Sequence, residues 1–169
     1  MNQKTESPTM QEEQQIKGSA RKVQEALRAL GISSTVREMP ASTRTAKDAA
    51  EAIGCTVGQI AKSLVFRCTN SGKPILIIAS GTNRVNERTM AGVVGEPIER
   101  ATPEFVRDVT GYAIGGIPPV GHDQQLPIWM DKALLAFERI WAAAGTPESV
   151  FDIRPDELAI ITKATVIEL

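Results

Sequence analysis

The chain has 169 residues, 42% apolar and 23% charged, with nineteen basic against twenty acidic side chains and a net charge of −1. That is room for one globular domain, and the composition excludes a disordered tail protein. A single histidine, His122, excludes multi-histidine metal centres and paired-histidine acid–base schemes, and near-neutrality excludes a general nucleic-acid coat, which needs many phosphate contacts.

Residues 1–15 are polar and aperiodic around Pro8, which predicts a disordered lead-in to a single domain over 16–169. Ile16, Ala20, Val23, Leu27 and Leu30 recur at helical spacing until Gly31. Lys17, Arg21 and Arg28 share another face of that helix, either a solvated stripe or a phosphate contact. Ser33–Met39 reads as a strand ended by Pro40, and Thr45–Gly54 as an alanine-rich helix capped by Thr43 or Thr45. A turn from Val57 leads through Lys62 into a strand over Ser63–Cys68. The loop Asn70–Lys73 and return strand Pro74–Ser80 complete a hairpin, and the run Ile75–Ala79 predicts burial on both faces.

Asn86–Gly92 reads as a short helix, and Thr102-Pro103-Glu104 opens another. After the glycine-rich Gly111–His122 comes a strand, Leu126–Met130. Asp131–Ala144 stays open between helix and strand. Ser149–Ile153 reads as strand, Pro155–Ile161 as a helix opened by Asp152 or Pro155, and Ala164–Leu169 as a closing strand. Hairpin-linked strands without a βαβ rhythm predict an α+β (mixed α/β) fold with a mixed, mostly antiparallel sheet. No apolar run approaches the roughly 18 residues of a membrane span. Cys55 and Cys68, without a secretory segment, read as small core residues of a cytoplasmic protein.

The most unusual segment is Thr110-Gly-Tyr-Ala-Ile-Gly-Gly-Ile-Pro-Pro-Val-Gly-His122. Its glycines permit left-handed backbone or close approach to a ligand, and Pro118 and Pro119 stiffen it. A fixed array of backbone N–H groups suits a phosphate, or the oxyanion of an attacked ester; the same composition suits a rigid structural turn. The segment matches neither a P-loop nor a strand-linked dinucleotide motif. His122 closes it, as an acid–base group, a water-orienting group or a structural hydrogen-bonder. Lys62, ahead of Leu64-Val65-Phe66, is either a half-buried ammonium aimed at an anion or a surface lysine. Arg84, Asn86 and Arg88 form a polar cluster after Gly81, a candidate for phosphate. Asp131 is a cap or an orienting carboxylate.

Several of these segments together resemble one family. Lys62-Ser-Leu-Val-Phe66, Gly81-x-x-Arg84-Val-Asn86, the Thr110–His122 segment, and Ala144-Gly-Thr-Pro-x-x-Val150-Phe followed by Pro155-x-x-Leu158 resemble the YbaK / prolyl-tRNA-synthetase-associated (ProX-like) aminoacyl-tRNA deacylases, in order from about residue 17 to the C-terminus. The resemblance implies a mixed, curved sheet surrounded by helices. It implies hydrolysis of the ester joining a wrong, small amino acid to the 3′ acceptor end of a tRNA, most often a proline tRNA. Lys62 falls on the family's active-site lysine, and Gly115-x-x-x-Pro119-x-x-His122 on its G-x-x-x-P-x-x-H signature. The histidine resembles the branches that clear alanine or other small residues rather than the cysteine-clearing branch.

The expected catalytic residues are therefore Lys62, Gly115, Gly116 and His122. Ser63, Arg84, Asn86, Ile117, Pro118, Pro119 and Asp131 are expected to bind substrate. Neither cofactor nor metal is expected, since an activated ester needs positioning and oxyanion stabilisation above all. With no synthetase body in the sequence, editing is expected in trans, with prolyl-tRNA synthetase as a further partner. The alternatives are a non-catalytic module binding tRNA ends or a synthetase, and a small-molecule phosphate binder.

Overall fold

The computed structural model describes residues 18–169; the expected lead-in over 1–15, Ile16 and Lys17 lie outside the described residues. In chain order the elements are α1 (Ser19–Ala29), β1 (Arg37–Glu38), α2 (Ala46–Ile53), a 3-10 turn (Val57–Gln59), β2 (Ile60–Cys68), β3 (Pro74–Ser80), α3 (Glu87–Val94), β4 (Ile98–Arg100), α4 (Pro103–Thr110), β5 (Ile128–Asp131), a second 3-10 turn (Lys132–Ala136), β6 (Ile140–Ala143), β7 (Ser149–Ile153), α5 (Pro155–Thr162) and β8 (Thr165–Ile167).

The β2–β3 hairpin is the middle of the sheet, whose order is β1-β7-β6-β2-β3-β5-β8 with β4 also on β2. Its register pairs Lys62 with Ala79 and Phe66 with Ile75. Alternation along β2 and β3 then sends side chains into two layers. Ala61, Val65, Leu76 and Ile78 pack with Ala20, Val23 and Leu27 of α1 in the larger core. Phe66, Cys68, Ile75 and Ile77 pack with Met90 of α3 and Ile98 of β4 in a smaller one. With a core on each side, Ile75–Ala79 is buried throughout, as its unbroken apolar run predicts.

The sheet is mixed. Antiparallel pairs (β1/β7, β2/β3, β2/β4, β6/β7) outnumber parallel ones (β2/β6, β3/β5, β5/β8) only narrowly. The parallel pairs join strands far apart in sequence, so no hairpin signal announces them.

Most helix ends follow the sequence signals. Thr45 Oγ1 accepts from Asp48 N–H, Asn86 Oδ1 from Thr89 N–H, and Thr102 Oγ1 from Phe105 N–H, ahead of Pro103 at the first helical position. Pro155 opens α5, but Asp152 does not cap it; Asp152 belongs to β7 and pairs with Arg139. The expected strand over 33–39 shrinks to Arg37–Glu38. The buried Gln24 side chain takes the Val36 N–H and donates to the Ser34 carbonyl, doing for this backbone what a partner strand would. The ambiguous 131–144 segment divides into the second 3-10 turn and β6. Strand β4 went unread because three residues carrying Glu99 and Arg100 show no alternation.

Candidate functional site

The site lies where β2 changes partners along one edge. Ile60 and Ala61 pair with Trp141 and Ala142 of β6, and Phe66–Cys68 pair with β4. Between them, Lys62–Val65 has no ladder partner on that side among the described residues. A cavity of about 490 Å³ opens there, walled across the gap by the glycine-rich loop after α4. Of the expected site residues, Lys62, Ser63, Gly115 and Ile117 line it. Gly116, Pro118, Pro119, His122, Arg84, Asn86 and Asp131 do not.

Lys62 and Ser63 are consecutive in an extended strand, so they leave it on opposite faces. The half-buried Lys62 donates from Nζ to the Asn83 carbonyl at 2.8 Å. Burial holds its ammonium below the ordinary lysine range, Arg84 and Arg100 push the same way, and Asp131 opposes them. Ser63 Oγ, on the larger-core side, is the one buried side-chain polar atom among the described residues with no hydrogen-bond partner. An unpaired buried hydroxyl beside a cavity is a ready contact for a ligand.

The turn that holds Lys62 is itself fixed by Asp131. Asp131 is 1% exposed. Its Oδ2 accepts from Ser80 N–H at 3.0 Å and Asn83 Nδ2 at 2.9 Å, and its Oδ1 from Ala133 N–H at 2.9 Å. The carboxylate does not line the cavity but supports the turn that holds Lys62. Asp131→Asn keeps the shape but presents an NH₂ to groups that are themselves donors. It is expected to lower stability by about 1–2 kcal/mol, read as a lower urea midpoint with unchanged slope.

In the glycine-rich segment, Gly111 ends α4 and Gly115 takes φ 99°, a left-handed conformation that favours glycine. Gly116 is wedged against the 145–146 backbone: its carbonyl accepts from Gly145 N–H at 2.8 Å, and its own N–H donates to the Ala113 carbonyl at 3.2 Å. The N–H groups of Gly115 and Ile117, by contrast, donate to no acceptor among the described residues. Pro118 and Pro119 are buried behind them. The loop therefore offers the N–H groups of Gly115 and Ile117, not that of Gly116, from two residues that line the cavity.

His122 braces this loop from the far side. Its Nε2 donates to the Pro118 carbonyl at 2.6 Å, which sets the tautomer. Its ring stands edge-on to Tyr112, centroids 6.5 Å apart. Tyr112 O–H donates to the Gly121 carbonyl, and burial pushes its pKa up to about 12. Burial holds the His122 imidazolium below an ordinary histidine's pKa, and Lys22 adds to this, while the Pro118 bond and Asp123 act against it. The unfolded chain therefore takes up this proton at higher pH than the folded one. Stability should fall as pH drops below about 6.5, and His122→Gln should flatten that part of a melting-temperature profile.

Asn86 is occupied as the cap of α3, and Arg84 is exposed near Lys62. Of the basic stripe on α1, Lys17 lies outside the described residues and Arg21 pairs with Glu25 at 3.1 Å. Burial raises the Cys55 and Cys68 thiol pKa values, which fits core residues rather than nucleophiles. No helix among the described residues is long and apolar enough to cross a membrane. Sequence reasoning missed both arginines of the cavity, Arg44 and Arg100. Neither sits in a motif, and only the fold carries them to Lys62.

Residues 40–161 match the model of the aminoacyl-tRNA editing domain. The chain belongs to the aminoacyl-tRNA editing domain family. A member of that family hydrolyses the ester between amino acid and tRNA, so the chain is a hydrolase of mischarged aminoacyl-tRNA. A crystal structure described as "a putative trans-editing enzyme for prolyl tRNA synthetase" superposes with a TM-score of 0.86 at 49% identity, over 91% of this chain and 98% of that one. YwhH of Bacillus subtilis, an uncharacterized protein, is 32% identical over 73% of this chain and 78% of its own length. EbsC of Enterococcus faecalis, named as a "putative Cys-tRNA(Pro)/Cys-tRNA(Cys) deacylase", is 24% identical over 74% and 76%. The editing-domain chain thus has the mixed α/β fold that its motifs imply.

Proposed function

We propose that this editing domain acts in trans as a deacylase for a small amino acid mischarged onto tRNA, with a proline tRNA as the first candidate. One observation carries the reading: Lys62, Gly115 and Ile117 line one cavity, and the N–H groups of the two loop residues donate to no acceptor among the described residues. The ester carbonyl accepts from these two N–H groups, which stabilise the oxyanion as water attacks. Lys62 holds the 3′-terminal nucleotide, and Ser63 Oγ donates to a polar group of the bound aminoacyl moiety. His122 positions the loop through the Pro118 carbonyl. The apolar wall formed by Val106, Ile117 and Ala142 suits a short side chain.

The two relatives whose names specify prolyl-tRNA synthetase or Cys-tRNA(Pro) support a proline tRNA and a synthetase partner. Such a role fits a cytoplasmic protein. The scheme uses only backbone donors, a lysine, a hydroxyl and water, so hydrolysis should persist in EDTA; activity that EDTA abolishes and a divalent metal restores would overturn it.

The deciding experiment is a deacylation panel: proline tRNA charged with alanine, cysteine, serine, threonine or 2-aminobutyrate, with Pro-tRNA as control. Hydrolysis of at least one small aminoacyl ester with Pro-tRNA spared is expected. Failure to hydrolyse any would overturn the deacylase reading in favour of a module that binds tRNA ends.

A further inference from the structure

Three arginines with no ion-pair partner among the described residues lie at or near the cavity on its lysine side. Arg44 and Arg100 line it, and Arg84 lies close enough to act on the Lys62 charge. Among the described residues, ion pairs engage Arg21, Lys22, Arg67, Lys132, Arg139 and Arg154. Arg44, Arg84 and Arg100 form no ion pair with a described residue.

Their positions are set by separate pieces of the fold. Arg44 lies along the bare face of Gly115, with Nε 2.9 Å and Cγ 3.0 Å from where a β-carbon would stand. Arg100 ends β4 and pairs in register with Phe66. Arg84 follows Asn83, whose carbonyl holds Lys62. Three cations from three segments, Arg44, Lys62 and Arg100, therefore line one opening, with Arg84 close enough to act on the Lys62 charge. Like charges gathered this way repel one another, and a bound anion relieves that repulsion.

We infer that Arg44, Arg84 and Arg100 form, with Lys62, a phosphate cradle for the phosphodiester on the 5′ side of the terminal nucleotide, which sets the aminoacyl ester against Gly115 and Ile117. This rests on the deacylase reading and extends it to Arg44 and Arg100, which no motif singles out, beside Arg84, the phosphate candidate of the sequence. Guanidinium forks match the several oxygens of a phosphate, and the apolar part of the cavity is left for the aminoacyl group. A local cradle also reconciles a nucleic-acid substrate with a net charge of −1: it grips one phosphate rather than coating a duplex.

The test uses the amino acid cleared best in the panel, esterified to the 3′-hydroxyl of adenosine and of adenosine 5′-phosphate. The wild type is expected to favour the phosphate-bearing ester at least about tenfold in kcat/KM. That ratio should fall toward one in Arg84→Gln and in the double variant Arg44→Gln/Arg100→Gln, whose exposed side chains leave the core intact. On tRNA, each lost phosphate contact should reduce the log–log salt slope of kcat/KM by about 0.7. No preference in the wild type, or the same preference in the variants, overturns the cradle. If the panel yields no hydrolysis, the deacylase reading fails on its own, and NMR titration with adenosine 5′-monophosphate against adenosine decides the cradle. Tighter nucleotide binding that the variants lose sustains it, and equal binding overturns it.

Discussion

Replacing Gly116 with alanine is expected to destabilise the protein by about 2 kcal/mol and to lower deacylation at least about a hundredfold. A β-carbon at 116 would stand 2.8 Å from the Thr146 backbone N and C and 2.9 Å from its Cα. These are main-chain atoms just ahead of β7 that cannot rotate aside, so the 115–117 segment must move instead. Displacement of that kind breaks the bond from Gly145 N–H and re-aims the N–H groups of Gly115 and Ile117. Geometry within about 1 Å governs how well such donors stabilise an oxyanion. Melting should fall by roughly 4–8 °C. Gly92→Ala is the control: nothing lies within 4 Å of its would-be β-carbon, and it sits inside α3. That change should be neutral or stabilising by up to about 1 kcal/mol. If Gly116→Ala behaves like Gly92→Ala in both assays, the close approach of the two loops does not shape the site.

Lys62→Ala is expected to lower kcat/KM about a hundredfold, near 2.7 kcal/mol of transition-state stabilisation, while leaving the melting temperature close to that of the wild type. The two readouts separate function from folding. The ammonium is half-buried, and burial together with two guanidiniums already disfavours its charge; its removal therefore relieves repulsion in the free protein. Besides its hydrogen bond to the Asn83 carbonyl, what is lost is an interaction that only the substrate completes. A variant that hydrolyses mischarged tRNA at the wild-type rate would remove Lys62 from the mechanism. One that unfolds would make it a structural lysine instead.

Local chemistry was legible where one segment carries its own signal. The caps Thr45, Asn86 and Thr102, Pro103 and Pro155 at helix starts, the buried run Ile75–Ala79 and the hairpin around Asn70–Lys73 each encode their conformation within a few residues. The same holds for Lys62, Ser63, Gly115 and Ile117, which the motifs single out and the cavity gathers. The shrinkage of the 33–39 strand was not legible, because the competitor for its backbone is a glutamine on α1. Nor was β4, which exists through its pairing with Phe66–Cys68.

The single histidine and the near-zero charge mark the division most clearly. By itself the sequence determined the family motifs, the central hairpin, and a chemistry that must do without histidine clusters or a broad basic surface, because these follow from residue types and short-range spacing. Only the tertiary structure decided that His122 braces the loop through Pro118, that Asp131 supports Lys62 through Asn83, and that Arg44 and Arg100 reach the cavity. Those relations depend on where β2 leaves β6 for β4 and on contacts between segments many residues apart, which no local pattern records.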